Sequence, residues 1–196
     1  MFDKSKGDKL SGRPGSNRRH SAWKADALPT ELLPHKLKFI IFFYFALMNI
    51  QIEAIPAKET LSIRQHMLRQ GHPLSSCHFE KDNASSSRHW AAFVNKEKVG
   101  ILSAIQNPCL EFPTLLAYQF RGMAVVEDFQ RKGIASQLLT HAEEAVLNEF
   151  NPQLFWLNAR VNAQKLYQQL HYQSIGTTFD IPTVGPHIRY LKKTIP

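Results

Sequence analysis

The sequence predicts an α/β domain, because a strand pattern is followed by a helix pattern at two places in its second half. Residues 118–126 are rich in aromatic and β-branched side chains, and apolar residues then recur at helical spacing over 134–146. Residues 154–159 read as a buried strand that runs into a second helical pattern over 161–170. Two consecutive strand–helix units imply a pair of parallel strands.

The remaining elements follow from local pattern. Alternating apolar residues from Met48 to Ile52 predict a first strand, and Pro56 opens a helix that ends near Gly71. Further strands are predicted at 89–94 and 99–106, joined by a hairpin loop at 95–98, and at 172–179 and 187–191, joined by 180–186. No internal repeat is present, which excludes solenoids and propellers.

Length and cysteine content are those of one globular domain with an appendage. The chain has 196 residues, of which 43% are hydrophobic, enough for a full core. Cys77 and Cys109 stand in unrelated contexts without metal-ligand spacing. Two reduced thiols in a cytoplasmic protein are therefore expected, with a disulfide between them left open and no metal site predicted.

The net charge of +8 is unevenly distributed. Residues 1–47 hold 9 Lys/Arg and 4 Asp/Glu, an excess of +5, and the remaining 15 and 12 leave +3 for residues 48–196. A nearly balanced domain with a basic tail favours at most nonspecific electrostatic contact, so no specific nucleic-acid partner is expected. That the basic tail binds nucleic acid or a membrane remains an alternative hypothesis for the chain as a whole.

Residues 1–47 are predicted to be a disordered basic extension. Residues 1–35 show little apolar periodicity. The apolar run 39–47 is well short of the ~20 residues that a spanning helix needs, so no stable membrane span is expected. The run is either a membrane-surface anchor or part of a non-native extension upstream of a start at Met48, and we favour the second interpretation.

The turn between the predicted strand at 118–126 and the helix that begins at 134 carries the strongest chemical signal. The first amides of a helix have no intrahelical partners and lie at the positive end of the helix dipole. Gly133 lets a ligand approach these amides closely, and Arg131 and Lys132 add cationic donors. The turn therefore predicts a phosphate-binding site.

Residues 130–135, Gln-Arg-Lys-Gly-Ile-Ala, resemble the cofactor motif Gln/Arg-x-x-Gly-x-Gly/Ala of the GCN5-related N-acetyltransferase (GNAT) superfamily. The preceding residues 121–125, the following helix and the later segment 158–167 occur in the family's order and spacing. The resemblance covers residues 48–196, which are thereby expected to form an N-acetyltransferase domain.

The resemblance implies a GNAT-like mixed, mostly antiparallel sheet of about seven strands with flanking helices, whose fourth and fifth strands splay apart. The opening would hold the pantetheine arm of acetyl-CoA, with an amide near Met123 or Ala124 holding the acetyl oxygen. It implies these cofactor-binding residues: Met123, Ala124, Val125, Gln130, Arg131, Lys132, Gly133, Ile134, Ala135 and Asn162.

The activity that the resemblance implies is transfer of an acetyl group from acetyl-CoA, as co-substrate, to an amine of a small molecule or protein by direct attack. No metal is required, and the protein would be a monomer or homodimer. Tyr167 stands where the family places its tyrosine, and its expected role is to donate a proton to the leaving thiolate. The structural alternative for Tyr167 is an ordinary core tyrosine.

The chain also departs from the family pattern. Arg160 stands where the family usually has Asn, with Asn162 close by, and His171 stands where the family often has a helix-ending Gly. These departures leave open a second hypothesis, an acyl-CoA-binding regulatory module with little catalysis. Ala135 for the commoner second Gly is a mild change.

The acceptor side is not assigned by sequence. Glu111, His89 and His187 are candidate general bases, although a structural or surface role is expected for each. Arg64 and Arg69 could bind an anionic substrate group, but the favoured interpretation is a solvated helix face.

Overall fold

The computed structural model describes residues 49–182 and 184–194, so the predicted extension 1–47 and Met48 lie outside the described residues. The elements are β1 (Ile50–Ala54), α1 (Leu61–Leu68), β2 (Arg88–Val94), β3 (Glu97–Gln106), β4 (Ala117–Val125), α2 (Ile134–Phe150), β5 (Leu154–Arg160), α3 (Gln164–Gln169), β6 (Gln173–Ile181) and β7 (Gly185–Lys193).

The seven strands form one mixed sheet in the order β1-β2-β3-β4-β5-β7-β6. Every neighbouring pair is antiparallel except β4 and β5, which are parallel. This arrangement confirms the predicted fold class, including the parallel pair that the two strand–helix units required.

Several predicted loops are shorter in the structure. β2 and β3 extend to Val94 and Glu97, which leaves Asn95 and Lys96 as a two-residue turn with φ of 51° and 70°. Two consecutive positive φ angles match the twist of a tight hairpin, and Asn tolerates this conformation. The predicted loop 95–98 was therefore too long, and 180–186 likewise shortens because β6 and β7 extend to Ile181 and Gly185.

Both faces of the sheet are covered. The apolar residues of α2 recur along one face of the helix and pack on the larger core of the sheet: Ile134, Leu138, Leu139, Ala142 and Val146. Ile63 of α1 packs on the opposite face, against Ala91, Ile101 and Ala124. Successive residues of β2, such as Ala91 and Ala92, thus reach opposite faces, as the pleat of a strand requires.

Cys77 and Cys109 are free and buried in the structure, so the disulfide alternative is not realised. Within the described ranges, no helix has the length and apolarity needed to cross a membrane.

Candidate active site

The central feature of the sheet is the divergence of β4 from β5. The two strands pair only at Ala117–Leu154, Tyr118–Phe155 and Gln119–Trp156. Beyond these positions they splay apart around a cleft of about 510 Å³, as the family resemblance implied. Such openings beyond the carboxyl ends of parallel strands are where open α/β sheets bind ligands.

A β-bulge bends β4 where it borders the cleft. The register moves from Ile101 opposite Ala124 to Ser103 opposite Arg121, which leaves two residues of β4 facing one of β3. Gly122 has a φ of 61°, and a Cβ there would lie 2.7 Å from the Phe79 ring. Glycine is therefore required both by conformation and by space. The bulge interrupts the ladder to β3 and turns the backbone at the cleft wall.

The turn before α2 is open to a ligand. Gln130 donates its Nε2–H to the Val125 carbonyl at 2.9 Å, which ties the turn to the end of β4. The left-handed Gly133 precedes a helix whose N-terminus has no side-chain cap and no acidic residue in its first turn. A Cβ at Gly133 would meet only Gln137 Nε2, at 4.0 Å. The first amides of α2 therefore face open space at the positive end of the helix dipole.

The structure brings most of the predicted site residues into one cleft. The cleft wall includes Met123, Ala124, Val125, Gln130, Ala135, Asn162 and Tyr167. The predicted residues Arg131, Lys132 and Gly133 form the adjoining turn and Ile134 begins α2, and none of the four is part of that wall. The Ile134 side chain is 1% exposed and packs in the core, so only its backbone can take part in binding.

Tyr167 is a buried tyrosine that borders the cleft. Its ring stacks on Tyr190 with centroids 5.3 Å apart and meets Tyr172 edge-on at 6.0 Å. Burial, together with Tyr190, raises the pKa of Tyr167 well above its ordinary value. The hydroxyl is thus protonated throughout the neutral range.

Arg64 corrects the prediction of a solvated helix face. Its side chain is 0% exposed, and its guanidinium donates to both carboxylate oxygens of Asp82, at 2.6 and 3.0 Å. It also donates to the Cys77 carbonyl and to Ser103 Oγ, at 3.0 and 2.8 Å. Arg64 is therefore a structural cation that joins α1, the irregular segment after it and β3.

His89 belongs to the same buried network. Its Nε2 lies 2.8 Å from the Asp82 carbonyl, which can only accept, so Nε2 carries the proton. Ser103 Oγ, 2.8 Å from Nδ1, can then donate to that nitrogen. Burial lowers the pKa of His89 because the charged form is poorly solvated there, which agrees with the neutral form that this bonding implies.

Of the three candidate bases, only His187 lies at the cleft wall. Its Nδ1 lies 2.7 Å from the Gly185 carbonyl and donates to it, which leaves Nε2 as the nitrogen able to accept a proton. Glu111 is instead paired with Arg189 at 2.6 Å and accepts a bond from Cys109 Sγ at 3.1 Å. His89 and Glu111 thus have the structural roles that the sequence led us to expect.

The cleft also contains residues that sequence patterns did not assign. Phe79 lies in a stretch without periodicity, and its ring contacts two cations, Arg64 at 3.9 Å and Arg121 at 4.5 Å. Asn158 follows the part of β5 that pairs with β4, and its side chain accepts a bond from Arg189 at 3.2 Å. The single Gly122 within a strand pattern was an available signal of the bulge that shapes this wall.

Sequence comparison identifies related proteins. The model of the family described as Acetyltransferase (GNAT) domain matches residues 85–174. The chain is 31% identical over 139 residues to YitI of Bacillus subtilis, which is described as an uncharacterized N-acetyltransferase. That alignment covers 71% of this chain and 93% of the relative.

Solved structures share the architecture. A crystal structure described as that of a putative N-acetyltransferase from Lactobacillus plantarum superposes with a TM-score of 0.59 at 17% identity, over 76% of this chain and 99% of that one. An aminoglycoside 6′-N-acetyltransferase complexed with coenzyme A superposes with a TM-score of 0.58 at 14% identity, over 74% and 98%. At these identities the similarity establishes the fold.

Proposed function

Because this chain belongs to the GCN5-related N-acetyltransferase superfamily, we propose that residues 48–196 transfer an acetyl group from acetyl-CoA to an amine acceptor by direct attack. The observation that carries the proposal is the continuity of three features: the splayed edge of β4, its bulge and the uncapped N-terminus of α2. The coenzyme A present in the aminoglycoside acetyltransferase structure supports the choice of donor.

The residues present fit coenzyme A. Pairing of β4 with β5 ends at Gln119, so the backbone of Met123, Ala124 and Val125 is available to an extended pantetheine arm in the manner of an added strand. The open turn, with Arg131 and Lys132 beside it, offers amides and positive charge to the diphosphate. Gly133 leaves room for close approach, because nothing in the described chain lies nearer to its Cβ position than 4.0 Å.

When bound, acetyl-CoA would supply the activated thioester carbon. In the proposed mechanism an amide at Met123 or Ala124, beside the bulge, donates to the acyl oxygen as negative charge develops there. Tyr167 donates a proton to the departing sulfur. Of the candidate bases, His187 is the one at the cleft wall, and its Nε2 takes the proton of the attacking amine directly or through water.

Substitution at Gly133 tests the cofactor site. Gly133→Val should weaken acetyl-CoA binding at least tenfold in calorimetry, because a branched side chain at φ 79° strains the turn and fills the space before the amides. Gly176→Val is the matched control, since Gly176 has φ 69°, has open space around it and lies outside the cleft wall. Equal affinities for the two variants would contradict the proposed site.

Tyr167→Phe tests catalysis and separates the proposal from its alternative. Loss of the hydroxyl should lower kcat by roughly 10²–10⁴, the range of general acid catalysis, and leave acetyl-CoA affinity unchanged. Unchanged turnover would remove Tyr167 as the acid. Binding of acetyl-CoA by the wild-type chain without turnover on any amine would favour the acyl-CoA-binding regulatory module.

A further inference from the structure

The charged residues of the cleft wall have one sign. Arg69, Arg121 and Arg160 line it, and no aspartate or glutamate of the described ranges does so. Arg69 and Arg160 also flank an adjoining polar recess of about 260 Å³, together with His72. Three arginine residues thus border the cleft or its rim.

Within the described ranges these cations form no salt bridge, in contrast to three other arginines of the domain. Arg64, Arg88 and Arg189 form salt bridges with Asp82, Glu149 and Glu111. Among residues 49–182 and 184–194, no salt bridge involves Arg69, Arg121 or Arg160. Cations held together without partners repel one another, which an anionic ligand would relieve.

Arg121 is the most confined of the three. It lies on β4 immediately before the bulge, and its guanidinium rests 4.5 Å above the Phe79 ring. Burial lowers the pKa of Arg121, and Arg64 and Arg69 act in the same direction. The carboxylates of Asp82 and Glu80 raise the pKa of Arg121, but Asp82 forms its salt bridge with Arg64 and not with Arg121.

The position of Arg121 separates it from the proposed diphosphate turn. Arg121 precedes Val125 by four positions on β4, a distance of about 13 Å at the usual rise of a strand. The diphosphate turn begins beyond Val125, whereas Arg121 lies against the Phe79 ring and near enough to Arg69 to be affected by its charge. Arg121 is therefore available to the acceptor.

We propose that the acceptor is an amine that carries a carboxylate close to its amino group, as an amino acid does, and that Arg121, assisted by Arg69 and Arg160, binds this carboxylate. A guanidinium fork matches the two oxygens of a carboxylate. Polyamines and aminoglycosides would instead bring positive charge to three unpaired cations. The proposal rests on the proposed function and names its substrate class.

The test compares acceptors with and without this carboxylate. With saturating acetyl-CoA, thiol release is measured for the common amino acids, for their primary amides and for spermidine. The expected kcat/KM is about tenfold or more higher for the best amino acid than for its amide, because a charge-assisted bond is lost in the amide. Spermidine should be a poorer acceptor still.

Arg121→Gln should abolish the preference for the acid over the amide, and Arg121→Lys should retain part of it. Arg160→Gln, at an exposed position, provides a second variant that folds independently of the Phe79 contact. Arg88→Gln removes the same charge outside the cleft and should leave the preference unchanged. Acetyl-CoA affinity, measured by calorimetry, should be the same in the wild type and Arg121→Gln.

The possible failures are distinguishable. Transfer to amides or spermidine at rates equal to or above those of amino acids would overturn this inference and leave the acetyltransferase function intact. A preference for amino acids that survives in Arg121→Gln would also overturn it, as would an undiminished preference in Arg160→Gln if Arg121→Gln did not fold. Absence of transfer to every acceptor by a chain that binds acetyl-CoA would overturn the proposed function and the inference together.

Discussion

Asp82→Asn should destabilise the domain strongly because it breaks the buried Arg64–Asp82 pair. The two side chains are 0% and 3% exposed, so solvent does not screen the charge that would be left behind. The carboxylate accepts three bonds, two from Arg64 and one from the Phe79 amide at 2.8 Å. The Asn side chain has one accepting oxygen instead of two, and its NH2 group would point at N–H donors that the second carboxylate oxygen now accepts from.

The expected magnitude follows from these contacts. Loss of hydrogen bonds to a charged group, with Arg64 left buried, costs about 3–5 kcal/mol in the free energy of unfolding. For a domain of this size that corresponds to a fall in Tm of about 6–20 °C. The bonds of Arg64 to Cys77 and Ser103 remain, which favours the lower part of the range.

Urea denaturation followed by tryptophan fluorescence measures the loss, because Trp90 and Trp156 are buried in the described domain. Glu149→Gln is the matched control, since it breaks an ion pair with Arg88 whose side chains are 33% and 46% exposed. A surface pair of this kind contributes about 1 kcal/mol or less. If Asp82→Asn cost no more than Glu149→Gln, the buried network would not stabilise the fold as argued.

Two further predictions concern His89 and His171. Burial holds the pKa of His89 in the folded domain below 6.5, so the unfolded chain binds a proton at this residue first as pH falls. The stability linked to His89 is therefore fully present above pH 6.5 and is lost as pH falls through the lower folded pKa. His89→Gln should flatten that slope in urea titrations, and an unchanged slope would assign it to other groups. His171 has a φ of 65°, so His171→Gly should raise the free energy of unfolding by up to about 1 kcal/mol. His78 has an ordinary φ of −75°, so His78→Gly should not raise the free energy of unfolding. A rise in both variants would show that the left-handed conformation of His171 is not the cause.

The sheet and the glycine-containing turn before α2 could be predicted because their signals are local. Alternation in β1, the continuous apolar run of β5 and the glycine-containing turn before α2 each lie within a few residues. The parallel pair followed from two consecutive strand–helix units. The splay of β4 from β5 came from the family resemblance, and no residue pattern in either strand indicates it.

The buried network could not be predicted, because its members are far apart in sequence. Asp82 lies 18 residues from Arg64 in a segment without periodicity, and Ser103 lies 39 residues away. An arginine on a short helix ordinarily faces solvent, so the pattern of α1 favoured the wrong environment. The same holds for Phe79, whose place at the cleft depends on the fold of that segment.

We propose that an acetyl group is transferred from acetyl-CoA to an amine in the cleft between β4 and β5. The most direct measurement incubates the purified chain with acetyl-CoA and a panel of amino acids, polyamines, antibiotic amines and peptide N-termini, and quantifies both free thiol and acetylated amine. Thiol release should depend on the acceptor and equal the N-acetylated product in a ratio of one to one, at a rate that Tyr167→Phe lowers. Tight binding of acetyl-CoA with thiol release that no acceptor increases would contradict it.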